Sequence, residues 1–176
     1  PTSQSVPRGP LPEKLREPAQ RVLAALRRGQ VVLIRGRPGS GRTMIIRWAV
    51  DQLPNLSPKA ALEVATIASA AGLTAPGACL PSRPPLRAPH YTASLGGVIG
   101  TMQAPGEVTL AHRGVLLLDE VAEFSRPVLE GVREAQRASV IHLVGPHGGA
   151  QAPAKFALAA TLTTDQDSNE RDLNRI

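Results

Sequence analysis

A glycine-rich segment contains the residues of this sequence whose types and spacing are best suited to binding phosphate. Residues 36–43 read Gly-Arg-Pro-Gly-Ser-Gly-Arg-Thr, which matches the phosphate-loop pattern G-x-x-x-x-G-K-[ST] except that Arg42 replaces the lysine. Such glycines let backbone N–H groups point at phosphate oxygens, and the N-terminus of a following helix adds positive charge. We therefore expect ATP phosphates to be bound by Gly36, Pro38, Gly39, Ser40, Gly41, Arg42 and Thr43. The alternative is a glycine turn that only connects a strand to a helix.

An acidic pair further along the chain has the carboxylates needed to bind Mg²⁺ and to activate water for hydrolysis. The apolar run 115–118 ends in Asp119 and Glu120. We expect Thr43 and Asp119 to hold Mg²⁺, Asp119 through water, and Glu120 to polarise the attacking water. The alternative is an acidic pair favoured by the dipole at the start of a helix. The predicted catalytic residues are therefore Glu120, Asp119 and Arg42.

Arg42 keeps the positive charge of the missing lysine but changes its geometry. A planar guanidinium can grip a phosphate, yet it differs in shape and reach from a compact ammonium group. Two functions therefore stay open for this sequence. One is Mg²⁺-dependent ATP hydrolysis, and the other is a non-hydrolysing homologue that acts as a scaffold or regulatory subunit.

The elements that position these residues alternate between strands and helices, which predicts an α/β fold with a parallel sheet. Predicted strands cover 31–34, 115–118 and 156–162, and predicted helices cover 13–28, 43–53, 57–71 and 125–137. A hairpin is predicted from 140–144 and a partner strand after Gly149. Ligands of such sheets bind at the carboxyl ends of the strands. Thr163 lies at such an end and is a candidate contact for the γ-phosphate.

Proline and glycine mark the segments that we expect to lie outside the core. Residues 1–12 predict an extended lead-in, and the prolines of 74–89 exclude long regular structure there. The glycines of 90–108 predict a flexible insertion. His90 and His112 have no cysteine or carboxylate at ligand spacing, so packing roles are expected for both.

Composition narrows the function classes. The chain has 176 residues, a net charge of +6, 2% aromatic residues and one cysteine, which excludes a disulfide framework and a base-stacking platform. No apolar run reaches the length of a membrane span, and the N-terminus has no signal-peptide order, so a cytoplasmic protein is expected. The excess of basic over acidic residues in 1–50 indicates a polyanion surface, first for a nucleotide and secondarily for DNA. The alternative is a solvated arginine-rich helix that binds neither.

Longer stretches of the sequence resemble a known family. Residues 105–120 read Pro-Gly-Glu-Val-Thr-Leu-Ala-His-Arg-Gly-Val-Leu-Leu-Leu-Asp-Glu, and residues 87–92 read Arg-Ala-Pro-His-Tyr-Thr. These two segments resemble the corresponding motifs of the magnesium-chelatase-like AAA+ ATPases, in particular of their competence-associated ComM/YifB branch. The departures are Arg42, Tyr91 in place of a second histidine, and Thr163 in place of a sensor asparagine.

The resemblance implies a P-loop NTPase with the three-layer AAA+ core and a central parallel sheet. It further implies a helix-2 insertion near 90–105 and a pre-sensor β-hairpin near 139–154, with residues 13–176 forming a nucleotide-binding core whose helical lid is absent. Members of this family are usually hexameric rings, so a homo-oligomer is implied, with ATP and Mg²⁺ as cofactors. The activity implied is ATP hydrolysis coupled to remodelling of DNA or of a partner protein.

Overall fold

The computed structural model describes residues 11–75, 77–145 and 148–164. The lead-in predicted for residues 1–12 falls mostly outside this range, as does the end of the predicted core after Thr164. Six helices of the described residues are α1 (Glu13–Arg27), α2 (Arg42–Asp51), α3 (Pro58–Ala70), α4 (Leu95–Ile99), α5 (Glu107–Leu110) and α6 (Arg126–Ala138). The strands are β1 (Val32–Gly36), β2 (Leu86–Arg87), β3 (Val115–Leu118), β4 (Val140–Gly145), β5 (Gly148–Pro153) and β6 (Ala157–Thr163).

A four-stranded parallel sheet with the order β1-β6-β3-β2 forms the centre of the fold. The last strand in sequence, β6, lies between β1 and β3. Its register pairs Thr163 with Gly36 on one side and Ala160 with Leu118 on the other. All four carboxyl ends meet at the same edge of the sheet, which confirms the predicted α/β fold and brings together the ends of β1, β3 and β6.

The strand β3 is buried on both faces, which explains its unbroken apolar sequence. Leu116 and Leu118 pack into the same core cluster as α6, while Val115 and Leu117 pack into the cluster that contains residues of α1 and α2. Helices therefore cover both faces of the sheet in the described part of the chain. This three-layer packing anchors the strand that leads directly to Asp119.

The predicted start of α3 is confirmed by its capping geometry. Ser57 accepts a hydrogen bond from the backbone N–H of Ala60 at 3.3 Å, and Pro58 occupies the first helical position. Ser125 likewise precedes α6 in extended conformation, followed by arginine and proline, but its side chain makes no capping hydrogen bond.

The prediction of a flexible insertion over 90–108 is wrong. This segment contains α4 and α5, and both Val98 and Val108 are fully buried in the cluster that packs on α6. Gly100 and Pro105 form an isolated antiparallel bridge. The glycines of this segment permit close approach of the backbone rather than mobility. The glycine content was therefore a sign of tight packing, and not of flexibility.

The predicted hairpin is confirmed as the antiparallel pair β4–β5, in which Val140 faces Pro153. Residues 146–147 of its turn lie outside the described residues. In the proline-rich segment 74–89, the described residues have little regular structure apart from the short strand β2, which joins the sheet edge beside β3. Within the described ranges, no helix combines the length and the apolar character needed to cross a membrane.

Candidate functional site

The loop between β1 and α2 makes a tight turn that depends on its glycines. Gly39 and Gly41 adopt positive φ angles of 72° and 88°, which residues with side chains adopt rarely. A Cβ atom added to Gly36 would lie 2.8 Å from the Ser40 Oγ, because the loop folds back over the end of β1. Pro38, Gly39 and Ser40 are exposed to solvent, so this side of the loop is accessible to a ligand.

Thr43 faces Asp119 across the gap between α2 and the end of β3. The Thr43 hydroxyl lies 3.2 Å from each carboxylate oxygen of Asp119. A hydroxyl beside a carboxylate is an all-oxygen donor pair of the kind that Mg²⁺ prefers. The chemistry of these side chains therefore fits the metal that the sequence predicts here.

Arg42 points across the site to the two other strand ends. Its Nη2 donates to Glu120 Oε1 and to Thr163 Oγ1, both at 2.6 Å. The side chain is 9% exposed, and its Nη1 has no hydrogen-bond partner among the described residues. A buried guanidinium nitrogen without a partner has a free donor position. A phosphate oxygen would supply the missing acceptor, so the site fits a nucleotide as well as a metal.

Glu120 is held by two elements at once. Besides Arg42, Thr163 donates its backbone N–H to Oε2 at 2.9 Å and its hydroxyl to Oε1 at 2.7 Å. Burial raises the pKa of Glu120, but the hydrogen bonds from Thr163 and the charge of Arg42 outweigh burial and lower the pKa. Glu120 is therefore a carboxylate at neutral pH.

All residues predicted for the site lie around the carboxyl edge of the sheet and the loop before α2; they are Gly36, Pro38, Gly39, Ser40, Gly41, Arg42, Thr43, Asp119, Glu120 and Thr163. Sequence reasoning missed Thr161, whose hydroxyl lies 2.6 Å from Asp119 Oδ1. The available signal was a hydroxyl inside the otherwise apolar run 156–162. That signal alone does not say which strand the hydroxyl faces.

A second polar cluster lies away from the loop and ties three segments together. His112 is 5% exposed, and its Nδ1 accepts the backbone N–H of Lys155 at 3.1 Å. Its Nε2 therefore carries the proton and faces Glu63 Oε2 at 3.2 Å, while Arg113 Nε donates to the same oxygen at 2.6 Å. This geometry confirms the packing role expected of His112. His90 lies elsewhere, with its Nδ1 2.8 Å from Thr92 Oγ1.

The pKa values of two residues in the second cluster make the stability of the fold depend on pH. Burial, followed by the charges of Arg113 and Lys155, lowers the pKa of His112 against the opposing effect of Glu63. Hydrogen bonds from Arg113 and His112 lower the pKa of Glu63 to about 2. Both folded-state pKa values lie below those of the unfolded chain, so both groups favour folding above their unfolded pKa values and lose this contribution as the pH falls.

We expect the free energy of unfolding to decline in two stages on acidification. The first decline begins as the pH falls below about 6.5 and comes from His112, and the second begins below about pH 4.5 and comes from Glu63, whose pKa is about 2, together with Glu120. Urea denaturation at a series of pH values measures both stages. His112→Gln should flatten the first stage, whereas the exposed matched control His142→Gln should retain it. An unchanged first stage in His112→Gln would contradict this assignment.

Comparison with known proteins supplies the family. The model of the family described as magnesium chelatase, subunit ChlI, matches residues 15–171. YifB of Escherichia coli is 39% identical over 136 residues, which cover 76% of this chain and 27% of YifB. Competence protein ComM of Haemophilus influenzae is 35% identical over 147 residues, which cover 82% of this chain and 29% of ComM. The chain thus spans less than a third of the length of these curated relatives.

Solved structures agree on the fold. A chain of the complex between subunits BchI and BchD of magnesium chelatase matches with a TM-score of 0.64 and 18% identity, over 92% of this chain and 56% of that one. NtrX from Brucella abortus in complex with ATP matches with a TM-score of 0.59 and 18% identity, over 99% of this chain and 37% of NtrX. At these identities the likeness establishes the AAA+ P-loop fold alone.

The family model and the sequence relatives go further than the structural neighbours, because they match this chain in sequence, at 35–39% identity for ComM and YifB, and not in fold alone. The chain belongs to the magnesium chelatase subunit ChlI family and is a ComM/YifB-like member of it, with arginine at the lysine position of its phosphate loop.

Proposed function

We propose that this chain is the nucleotide-binding core of a magnesium-chelatase-like ATPase. In this proposal it binds ATP with Mg²⁺ and couples hydrolysis to the remodelling of DNA or of a partner protein. The observation that carries the proposal is the approach of Thr43 to Asp119, at 3.2 Å, beside a glycine loop that opens a helix. This combination supports phosphate and metal binding at one place.

Each part of the site has a role in this proposal. The backbone N–H groups of residues 39–43, at the N-terminus of α2, bind phosphate oxygens. Thr43 and Asp119 hold the metal, which when bound neutralises phosphate charge and orients the nucleotide. Arg42 offers its Nη1, which has no hydrogen-bond partner among the described residues, to a phosphate oxygen.

Glu120 is the group we assign to the attacking water. Its carboxylate is ionised at neutral pH, and Thr163 fixes it from two directions. It is also 37% exposed, so a water molecule can reach it from the solvent side. A fixed, ionised carboxylate of this kind can accept a hydrogen bond from water and orient it for attack.

A second candidate function is favoured by the ion pair between Arg42 and Glu120. Their 2.6 Å contact neutralises the carboxylate and reduces its strength as a base. A chain in which this pair persisted with ATP bound would hold nucleotide without hydrolysing it. It would then act as a scaffold or regulatory subunit whose shape depends on nucleotide.

Assembly and location are part of the proposal. A homo-oligomer is supported by family membership, and a cytoplasmic location by the composition of the sequence. DNA as the remodelled substrate is supported by α1, whose arginines Arg16, Arg21 and Arg27 are exposed. Exposed arginines supply the positive charge that a polyanion surface needs.

Nucleotide-dependent thermal stability tests the binding proposal. At a ligand concentration of about 100 Kd, linkage adds about 2.7 kcal/mol to the free energy of unfolding, which corresponds to a rise in Tm of about 5–10 °C for a chain of this size. We expect ATP with Mg²⁺ to produce such a rise. Thr43→Val should lose the Mg²⁺-dependent part of it, measured against the same titration in EDTA.

The matched control for this experiment is Thr66→Val. Thr66 is an exposed threonine on α3, so this variant should respond to ATP and Mg²⁺ as the parent does. If ATP with Mg²⁺ stabilises neither the parent nor Arg42→Lys, the proposal that this chain binds nucleotide is wrong. If both bind and only Arg42→Lys turns ATP over, the second candidate function is correct.

A further inference from the structure

Thr161 places a polar side chain at a fully buried position of the central sheet. It lies on β6, between β1 and β3, and it is 0% exposed. Its neighbours Ala160 and Leu162 are apolar and buried, as expected for a central strand. A hydroxyl at such a position is unfavourable unless protein groups replace its hydrogen bonds to water.

The Thr161 hydroxyl uses both of its hydrogen-bonding functions, and both go to the acidic pair. It donates to Asp119 Oδ1 at 2.6 Å and accepts the backbone N–H of Glu120 at 2.9 Å. One side chain therefore contacts two successive residues of the segment that leaves β3. Both partners lie on a neighbouring strand end, so the contact depends on the register of β6.

The contact with the Glu120 N–H matters because the backbone there turns sharply. Glu120 has φ 56° and ψ 66°, in the left-handed region that non-glycine residues rarely occupy. This turn directs the Glu120 carboxylate back over the sheet, where the Thr163 N–H lies 2.9 Å from Oε2. Thr161 holds the N–H of the turning residue, and so it stabilises the turn.

The contact with Asp119 sets the orientation of its carboxylate. Oδ1 receives hydrogen bonds from Thr161 at 2.6 Å and from Thr43 at 3.2 Å. Oδ2 lies 3.2 Å from Thr43 and has acceptor capacity to spare. The shorter bond to Thr161 therefore fixes Oδ1, while Oδ2 has no hydrogen bond from Thr161 and keeps acceptor capacity beside Thr43.

We propose that Thr161 is a positioning residue for this site, whose hydroxyl orients Asp119 towards the divalent cation and holds the Glu120 backbone in its turn. The metal part of this inference rests on the proposed function. Groups that hydrogen-bond to a metal-binding carboxylate typically change metal affinity by about 10- to 100-fold when removed. Thr161 touches no reacting atom, so its effect acts through Asp119 and Glu120.

The test compares Thr161→Val, which keeps the shape and removes the hydroxyl, with Thr161→Ser, which keeps the hydroxyl. Tm is followed against Mg²⁺ concentration with a non-hydrolysable ATP analogue held at saturation. We expect the Mg²⁺ concentration for half-maximal stabilisation to rise by about 10- to 100-fold in Thr161→Val. Thr161→Ser should stay within about threefold of the parent.

Thr109→Val is the matched control, because Thr109 is also buried but its hydroxyl has no hydrogen-bond partner among the described residues. It should leave the Mg²⁺ dependence unchanged. A purely structural role for Thr161 would lower the Tm of the ligand-free variant without moving the Mg²⁺ midpoint, and that result would overturn the metal part of the proposal. If Thr161→Val does not fold, Thr161→Ala serves as the hydroxyl-free variant.

A measurement without ligand separates this inference from the proposed function. The amide of Glu120 should exchange with solvent at least tenfold faster in Thr161→Val than in Thr161→Ser, because its acceptor is gone. Equal exchange would overturn the backbone part of the proposal. A parent that shows no Mg²⁺ response would overturn the proposed function and the metal part, and the exchange result would still decide the backbone part.

Discussion

Replacing Glu120 with glutamine should lower ATP turnover by about 10²- to 10⁴-fold while the rise in Tm with ATP and Mg²⁺ persists. Glutamine keeps the size of the side chain and an oxygen that can accept from Thr163, but it cannot accept a proton at neutral pH. The phosphate loop and the Thr43–Asp119 pair are unchanged in this variant. Steady-state phosphate release and thermal stability measure the two effects separately.

The matched control is Glu123→Gln, because Glu123 lies three residues further along and is exposed. We expect turnover of this variant to remain within about twofold of the parent, as for surface substitutions away from a site. Equal turnover in Glu120→Gln and the parent would contradict the role assigned to Glu120. If the parent has no turnover but Arg42→Lys does, the same glutamine substitutions are compared in the Arg42→Lys background.

Replacing Gly106 with alanine should lower the free energy of unfolding by about 3 kcal/mol, at the upper end of the range for overpacked cores. A Cβ atom at Gly106 would overlap the backbone nitrogen of Gly100 and the carbonyl carbon of Ile99, and would lie 2.5 Å from the carbonyl oxygen of Val98. Backbone atoms cannot yield by rotating a side chain. For this chain length the expected fall in Tm is about 6–12 °C.

Gly97→Ala is the control within the same segment. Gly97 lies in α4, and an added Cβ would meet only the Ser94 Oγ, at 3.3 Å. Because alanine favours helix and the serine hydroxyl can shift, we expect a change in stability within about 1 kcal/mol. Thermal or urea denaturation of both variants gives the comparison. Equally small effects in both would mean that 90–108 is loosely packed, as the glycine content alone suggested.

The sequence by itself determined the fold class and the elements that meet at the site. Apolar runs such as 115–118 are long enough and bounded clearly enough to predict buried strands, and the glycine turn after β1 predicts the start of a helix. Because the carboxyl ends of parallel strands share one edge, the position of Asp119 and Glu120 near the loop followed from the order of elements. Thr163 was predicted at this edge for the same reason. These features depend on local patterns and on connectivity.

The tertiary structure decided which side chains touch. Arg42 contacts Glu120, which is 78 positions away along the chain. The contact forms because β6 pairs with both β1 and β3 in a register that places the ends of these two strands side by side. The same register places Thr161 against Asp119. Likewise, the sequence alone cannot distinguish a glycine that permits close packing from a glycine that permits motion. Only the neighbouring backbone distinguishes the two roles, as it does at Gly106. Register and close approach depend on contacts distant in sequence, which explains why a pattern of residue types predicted the elements of this site but not its hydrogen bonds.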